Sequence, residues 1–320
     1  MTSLVKPVRS AGTLIPGPAA ARRRRPSRGV GLGIALVAPT MAMILAISLY
    51  PVISTLRLST RNTSLAEAKD EFVGLANYQA LLGDSQFWNA WQQTIAFTAV
   101  SSLLETAVGM VLALVLFETF RGRGLIRALV LVPWAIPTVV TSRMFGWLFD
   151  GQSGLVNYVL LKLGLIDGYI NFLGSTTWAM PAIVVADVWK TAPFMALLIL
   201  AGLHTIPNSL LESARIDGAS SWRIFTAIRL PLLLPSLLIA ALLRSLDAFR
   251  IFDLPYVLTG GGPADSTETL STFAYKRLFS GLQLGYGSTI ATAMFLTEVI
   301  IALLFGAFII RSYRAMGDQR

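Results

Sequence analysis

The sequence predicts an all-α membrane protein of six transmembrane helices, and three observations carry that prediction. Hydrophobic residues make up 54% of the 320-residue chain and charged residues only 13%, about half the charged share of soluble domains. The apolar residues gather into long runs, each able to cross a bilayer. The basic residues cluster in alternate loops, the pattern that orients membrane helices.

Residues 1–28 form a polar tail with an uninterrupted basic run, Arg22 to Arg25, and no helical or strand period. It reads as a disordered segment. The run from Gly29 to Leu56 holds 28 uncharged residues. A signal-peptide core has roughly 7–15, so this run reads as a retained first span. Five further runs follow, at Gln93–Phe117, Leu125–Phe149, Trp178–Leu203, Leu230–Ile251 and Gly287–Ile310. The segments between spans on the far side, about 58–92, 150–177 and 252–286, are too short for independent domains. Trp88, Trp91 and Trp178 suit an interfacial aromatic belt.

Six spans put both termini on one side. That side collects 16 Lys and Arg residues and the other 7, with Arg143, Lys190 and Arg244 inside spans. The positive-inside rule places the 16, and both termini, in the cytoplasm. The domain reading is a cytoplasmic tail (1–28), a membrane domain (29–311) and a short C-terminal cytoplasmic tail (312–320). The net charge of +9 is thereby explained by topology and anionic lipid, not by nucleic acid. With no Cys and a single His, His204, there is no disulfide framework, no metal cluster and no Cys or His catalysis. His204 reads as a polar residue at a helix end.

One cytoplasmic segment differs from an ordinary loop, Glu212 to Pro235, reading ESARIDGASSWRIFTAIRLPLLLP. Ser209 and Glu212 fit a capping box. Asp217–Gly218 reads as a helix stop, with Gly218 left-handed. Ser220 or Ser221 can cap a second helix, and Pro231 marks the return to the membrane. Trp222, Phe225, Ile228 and Arg229 fall on one stripe. On the residues alone this is a short helix–turn–helix, either a membrane anchor or a docking element. The segment resembles the EAA motif of ABC importer permeases: Glu212, Ala214, Asp217, Gly218, Ala219, Phe225, Leu230, Pro231 and Pro235 match it, and Ser213 stands where Ala is usual. The resemblance implies the type I importer permease fold. It makes residues 207–230 a coupling-helix region, with Glu212, Ser213, Ala214, Asp217, Gly218 and Ala219 contacting a partner ATPase.

A second stretch, Asp247 to Leu270, is similar to the end of the fifth span and the next outer loop in the sugar-transporting branch of maltose and trehalose type. Thr259, Gly261, Gly262 and Pro263 supply its T-x-G-G-P pattern. The glycines turn the chain and form no phosphate loop, because no G-K-[ST] follows. The pattern is similar to first-permease subunits of disaccharide importers, including the mycobacterial-type trehalose importer.

Charges within spans are costly and often functional. Asp187 and Lys190 are three apart on the fourth span and read as a pair. Asp247, Arg250 and Asp253 recur every third residue. Pro193 is positioned to break the fourth helix. Glu105 and Arg143 read as a pair between the second and third spans, and no function is assigned to Arg244. By resemblance to the maltose permease, whose sugar contacts come from these stretches, Asp187, Trp189, Lys190, Thr191, Phe194, Asp247 and Arg250 form the candidate sugar site. The alternative is structural ion pairing.

Without a G-x-x-x-x-G-K-[ST] sequence the chain does not hydrolyse ATP by that route. The resemblance implies an ATP-binding subunit dimer that holds ATP and Mg, a second and different permease chain, and an extracytoplasmic sugar-binding protein or lipoprotein. It places the complex in the bacterial inner membrane, with no cofactor in this chain. The rival from another class is a stand-alone proton-coupled carrier or channel using the intramembrane carboxylates. A membrane enzyme comes third, lacking a nucleophile–base pair.

Overall fold

The computed structural model describes residues 28–119 and 121–317. The predicted N-terminal tail up to residue 27, and residues 318–320 of the C-terminal one, lie outside the described residues. In chain order the elements are α1 (Arg28–Ser59), a hairpin of β1 (Arg61–Ser64) and β2 (Lys69–Phe72), α2 (Ala76–Gly83), α3 (Ser85–Phe117), α4 (Arg123–Ala135), α5 (Thr138–Leu148), α6 (Leu155–Lys162), α7 (Ala179–Leu203), α8 (Asn208–Ile216), α9 (Ser221–Ile224), α10 (Leu230–Phe249), α11 (Asp253–Leu258), α12 (Leu270–Tyr275) and α13 (Leu284–Gly317). The chain divides into two compact units, residues up to Val52 and Ile53–Arg320. The first contains most of the apolar helix α1.

The predicted spans fall on α1, α3, α4 with α5, α7, α10 and α13, within a few residues for most ends. α3 starts eight residues before the predicted Gln93, at Ser85, where the Asp84 side chain accepts from the Gln86 N–H at 2.8 Å and caps the helix. The third predicted span, Leu125–Phe149, is not one continuous helix. α4 and α5 meet at an 89° bend. Pro137 has no N–H to continue the ladder, and the residue before a proline is driven to extended backbone; Ile136 is extended at φ −72, ψ 131. The break expected at Pro193 does not occur: α7 runs through it.

The core of the second unit is α7 packed along α3, with α10 against both and α13 against α10. Gly109 of α3 makes the close approach possible, since a Cβ there would sit 3.0 Å from Met195 Cβ on α7. Small residues let helix backbones approach in a bilayer, where dispersion rather than water exclusion drives association. Around this contact Ala113, Leu116, Met195, Ile199, Leu203 and Leu233 are buried together. A second cluster, Phe97, Phe145, Phe149, Phe172 and Ile183, fills the other end of α7.

The segment read as a loop after α1 contains the β1–β2 hairpin, too short to carry a strand signal. Arg61 and Asp70 pair across it at 2.6 Å. Hydrogen bonds from Arg61 and Thr63 hold the Asp70 carboxyl below the usual carboxylate range. In the outer loop, Gly260 and Gly261 have positive φ, and the Thr259 and Thr267 hydroxyls bond at 2.7 Å. His204 is the residue that caps the C-terminal end of α7.

Candidate functional site

Two regions carry the residues singled out in the sequence. The first lies within the spans. A cavity of about 200 Å³ is lined by Thr138 of α5, by Asp187, Lys190 and Thr191 of α7, by Arg244 and Asp247 of α10, and by Arg250, Phe252 and Asp253 just beyond. Five of the seven predicted sugar-site residues therefore share one polar cavity. Trp189 and Phe194 are not among its lining residues. Trp189 sits edge-on to Phe145 with centroids 5.5 Å apart, and Phe194 stacks on Trp134 at 5.2 Å.

The expected Asp187–Lys190 pair does not form. Lys190 Nζ instead donates to the carbonyls of Ile136 at 2.6 Å and Trp134 at 3.4 Å. These belong to the C-terminal end of α4, where Pro137 leaves carbonyls without helical partners. An ammonium placed there satisfies them and favours the negative end of the helix dipole. Irregular backbone at membrane depth is tolerated where it lines a polar cavity. Lys190 thus supplies donors to carbonyls at the break in the third span.

Asp187 pairs with Arg244, and so does Glu105; the predicted Glu105–Arg143 pair is absent and Arg143 is exposed. Arg244 is buried at 4% exposure, Glu105 at 0% and Asp187 at 4%. The Ser101 hydroxyl lies 2.7 Å from Glu105 Oε1 and 2.5 Å from Asp187 Oδ2. Arg244 Nη1 also donates to Asp247 at 2.8 Å, on the rim of the cavity. One guanidinium therefore ties α3, α7 and α10 together and turns two acidic residues toward the cavity. Its planar fork suits several carboxylates at once. Sequence reasoning missed this centre, although Arg244 is the preceding member of the every-third-residue series Asp247, Arg250, Asp253. Arg250 reaches Glu298 of α13 at 3.5 Å.

The second region is α8 to α10. α8 starts after Pro207 with no side-chain cap, so the Ser209–Glu212 capping box does not form. Its other end is a complete Schellman motif: Gly218 N–H donates to Arg215 O at 3.1 Å and Ala219 N–H to Ala214 O at 2.9 Å. Gly218 has φ +76 and nothing within 4 Å of an added Cβ. Ala214 and Ala219 pack against the core cluster that includes Leu211 and Ile224. Glu212, Ser213, Asp217 and Gly218 face outward. Ser220 caps α9 by accepting from Arg223 N–H.

The second helix does not end before the return at Pro231: α9 continues into α10 through one wide turn, in which Leu230 N–H donates to Phe225 O. Pro231, next in sequence, lacks the donor a normal turn would need. The loop presents Ile216 at 86% and Trp222 at 73% exposure.

Comparison with known proteins gives the family. Residues 105–318 match the family described as binding-protein-dependent transport system inner membrane component. The chain is 42% identical over 284 residues to the trehalose/maltose transport system permease protein MalF of Thermococcus litoralis, covering 88% of this chain and 95% of that one. It is 41% identical over 278 residues to the trehalose transport system permease protein SugA of Mycobacterium tuberculosis, covering 86% and 87%. Its fold matches a chain from the crystal structure of a bacterial ABC transporter that imports the acidic polysaccharide alginate, with TM-score 0.75, 23% identity and coverage of 89% and 96%. These relationships set aside the stand-alone carrier and the membrane enzyme. The chain belongs to the family of binding-protein-dependent transport system inner membrane components, as a membrane-embedded permease subunit of an ABC importer.

Proposed function

We propose that this permease forms half of the path for a polar sugar, a disaccharide of the trehalose type, delivered by an extracytoplasmic binding protein. The observation that carries the reading is the polar cavity of Asp187, Lys190, Thr191, Asp247 and Arg250 between α5, α7 and α10, in a chain whose relatives are named for trehalose and maltose transport. Carboxylates and a guanidinium offer acceptors and donors for sugar hydroxyls. The other half of the path comes from a second, different permease chain. A partner ATPase dimer holds ATP and Mg and docks on residues 207–230, where exposed Glu212, Ser213, Asp217 and Gly218 flank Ile216. Ala214 and Ala219 support that surface from beneath.

Uptake by the reconstituted complex of a panel of labelled disaccharides tests the substrate. Trehalose or maltose is expected to be taken up in preference to monosaccharides and amino acids, and Asp247→Asn to lower uptake about tenfold, the loss of one hydrogen bond to a charged group, while the complex still assembles. Normal uptake by Asp247→Asn would move the sugar elsewhere. Topology is tested separately. A cysteine at Gly168 should react with an impermeant thiol reagent in intact cells, and one at Ser312 only after permeabilisation. The reverse pattern would invert the orientation drawn from the charge asymmetry.

A further inference from the structure

We infer that Arg123, Arg127 and Arg229 form a binding site for the phosphate of an anionic membrane lipid at the C-terminal end of α3. All three side chains contact one point of the fold, the last residues of α3 and its C-cap Glu118. Arg127 Nη2 donates to Leu116 O at 3.1 Å, and Arg123 Nη1 lies 3.4 Å from both Phe117 O and Glu118 O. Arg229, 13% exposed, packs over the Phe117 ring at 5.3 Å and stands 3.8 Å from Glu118 Oε1. Cations at a helix C-terminus satisfy its last carbonyls, yet capping uses only part of each guanidinium's donor set. Among the described residues, Nε of both Arg127 and Arg229 has no hydrogen-bond partner. Glu118 is the single acid in these contacts, so the point carries surplus positive charge.

The surroundings identify the ligand as a lipid rather than a free anion. α3 crosses the bilayer and ends here, which sets the arginines at headgroup depth. Directly beside them α4 exposes Leu125 (67%), Ile126 (40%) and Leu129 (59%). A phosphate on the guanidinium forks and acyl chains along this apolar stripe fit one phospholipid molecule. Arg229 lies in the wide turn that joins α9 to α10, so such a lipid would brace the loop proposed to meet the ATPase.

The test is native mass spectrometry of the delipidated full complex, titrated in parallel with phosphatidylglycerol, phosphatidylcholine and inorganic phosphate. Phosphatidylglycerol is expected to bind in preference to phosphatidylcholine. Each arginine near the surface contributes roughly a fivefold preference, so Arg127→Gln with Arg229→Gln should weaken phosphatidylglycerol about 25-fold. The same charge loss at Arg311 and Arg314, away from the cluster, should weaken phosphatidylglycerol less than the variant at Arg127 and Arg229. If the double variant fails to assemble, Arg123→Gln alone is read instead, with about a fivefold loss expected. An unchanged preference in these variants overturns the site. Equal competition by inorganic phosphate at matched concentration overturns the lipid assignment. Release of the ATPase with lipid preference intact shows that the cluster faces a protein, and also overturns it.

Discussion

Arg244→Ala is expected to destabilise the membrane bundle on the order of 3–5 kcal/mol, the range for stranding a buried charge by deleting its partner. Glu105 and Asp187 would lose their guanidinium while both remain almost wholly inaccessible. Ser101 supplies one hydroxyl proton and cannot satisfy both carboxylates. Asp247 suffers least, because its side chain is 71% exposed. The measurement is the temperature at which the detergent-solubilised complex loses its monodisperse peak, read against the parent. A second variant separates charge from packing. Arg244→Met combined with Glu105→Gln and Asp187→Asn removes every buried charge at the centre, and should recover much of the loss. If Arg244→Ala is as heat-resistant as the parent, the centre does not hold α3, α7 and α10 together. If the neutral triple variant is no better than Arg244→Ala, the guanidinium acts through its shape.

How much of this was legible in the sequence depended on the range of the interaction. The spans were legible because an apolar run of span length has few other solutions. Gly218 was legible because a left-handed helix stop is a local event that one residue type favours strongly. The polar cavity was half legible: i,i+3 spacing put Asp247 and Arg250 on one face, and both line it. Spacing cannot say which element a face meets. Lys190 shares a face with Asp187 but reaches across to α4, because the break at Pro137 offers it free carbonyls. Glu105 found Arg244, 139 positions away, and no local pattern encodes that partner. The misplaced break has the same origin. Pro193 and Pro137 are equivalent in propensity, but α7 is packed along its length by α3 and α10, and the neighbours hold its helix through the missing hydrogen bond.

Gly218→Leu is expected to abolish transport while leaving the permease folded. The backbone at Gly218 has φ +76, so a β-carbon there costs on the order of 1 kcal/mol. That is small against the stability of the bundle, and no neighbouring atom lies within 4 Å of the added Cβ. The leucine would therefore be accommodated and would project from the tip of the Schellman turn. It would stand beside Ile216 and Asp217, on the surface proposed to receive the ATPase. Glu212→Ala, one to two turns back on α8 and also exposed, should weaken the same contact less, because it removes atoms without adding any. Three readouts distinguish coupling from folding: co-purification of the ATPase with the permease, sugar uptake, and ATP turnover stimulated by the loaded binding protein. In Gly218→Leu, uptake should vanish together with either ATPase retention or its stimulation, and heat resistance of the purified permease should fall by no more than a few degrees. Normal uptake with normal ATPase retention would remove residues 207–230 from the coupling role and leave the loop as an amphipathic anchor of the bundle. A variant that fails to accumulate in the membrane would instead show that the turn is needed for folding, and Gly218→Asn, whose side chain tolerates the left-handed region, would then be the substitution that reads coupling alone.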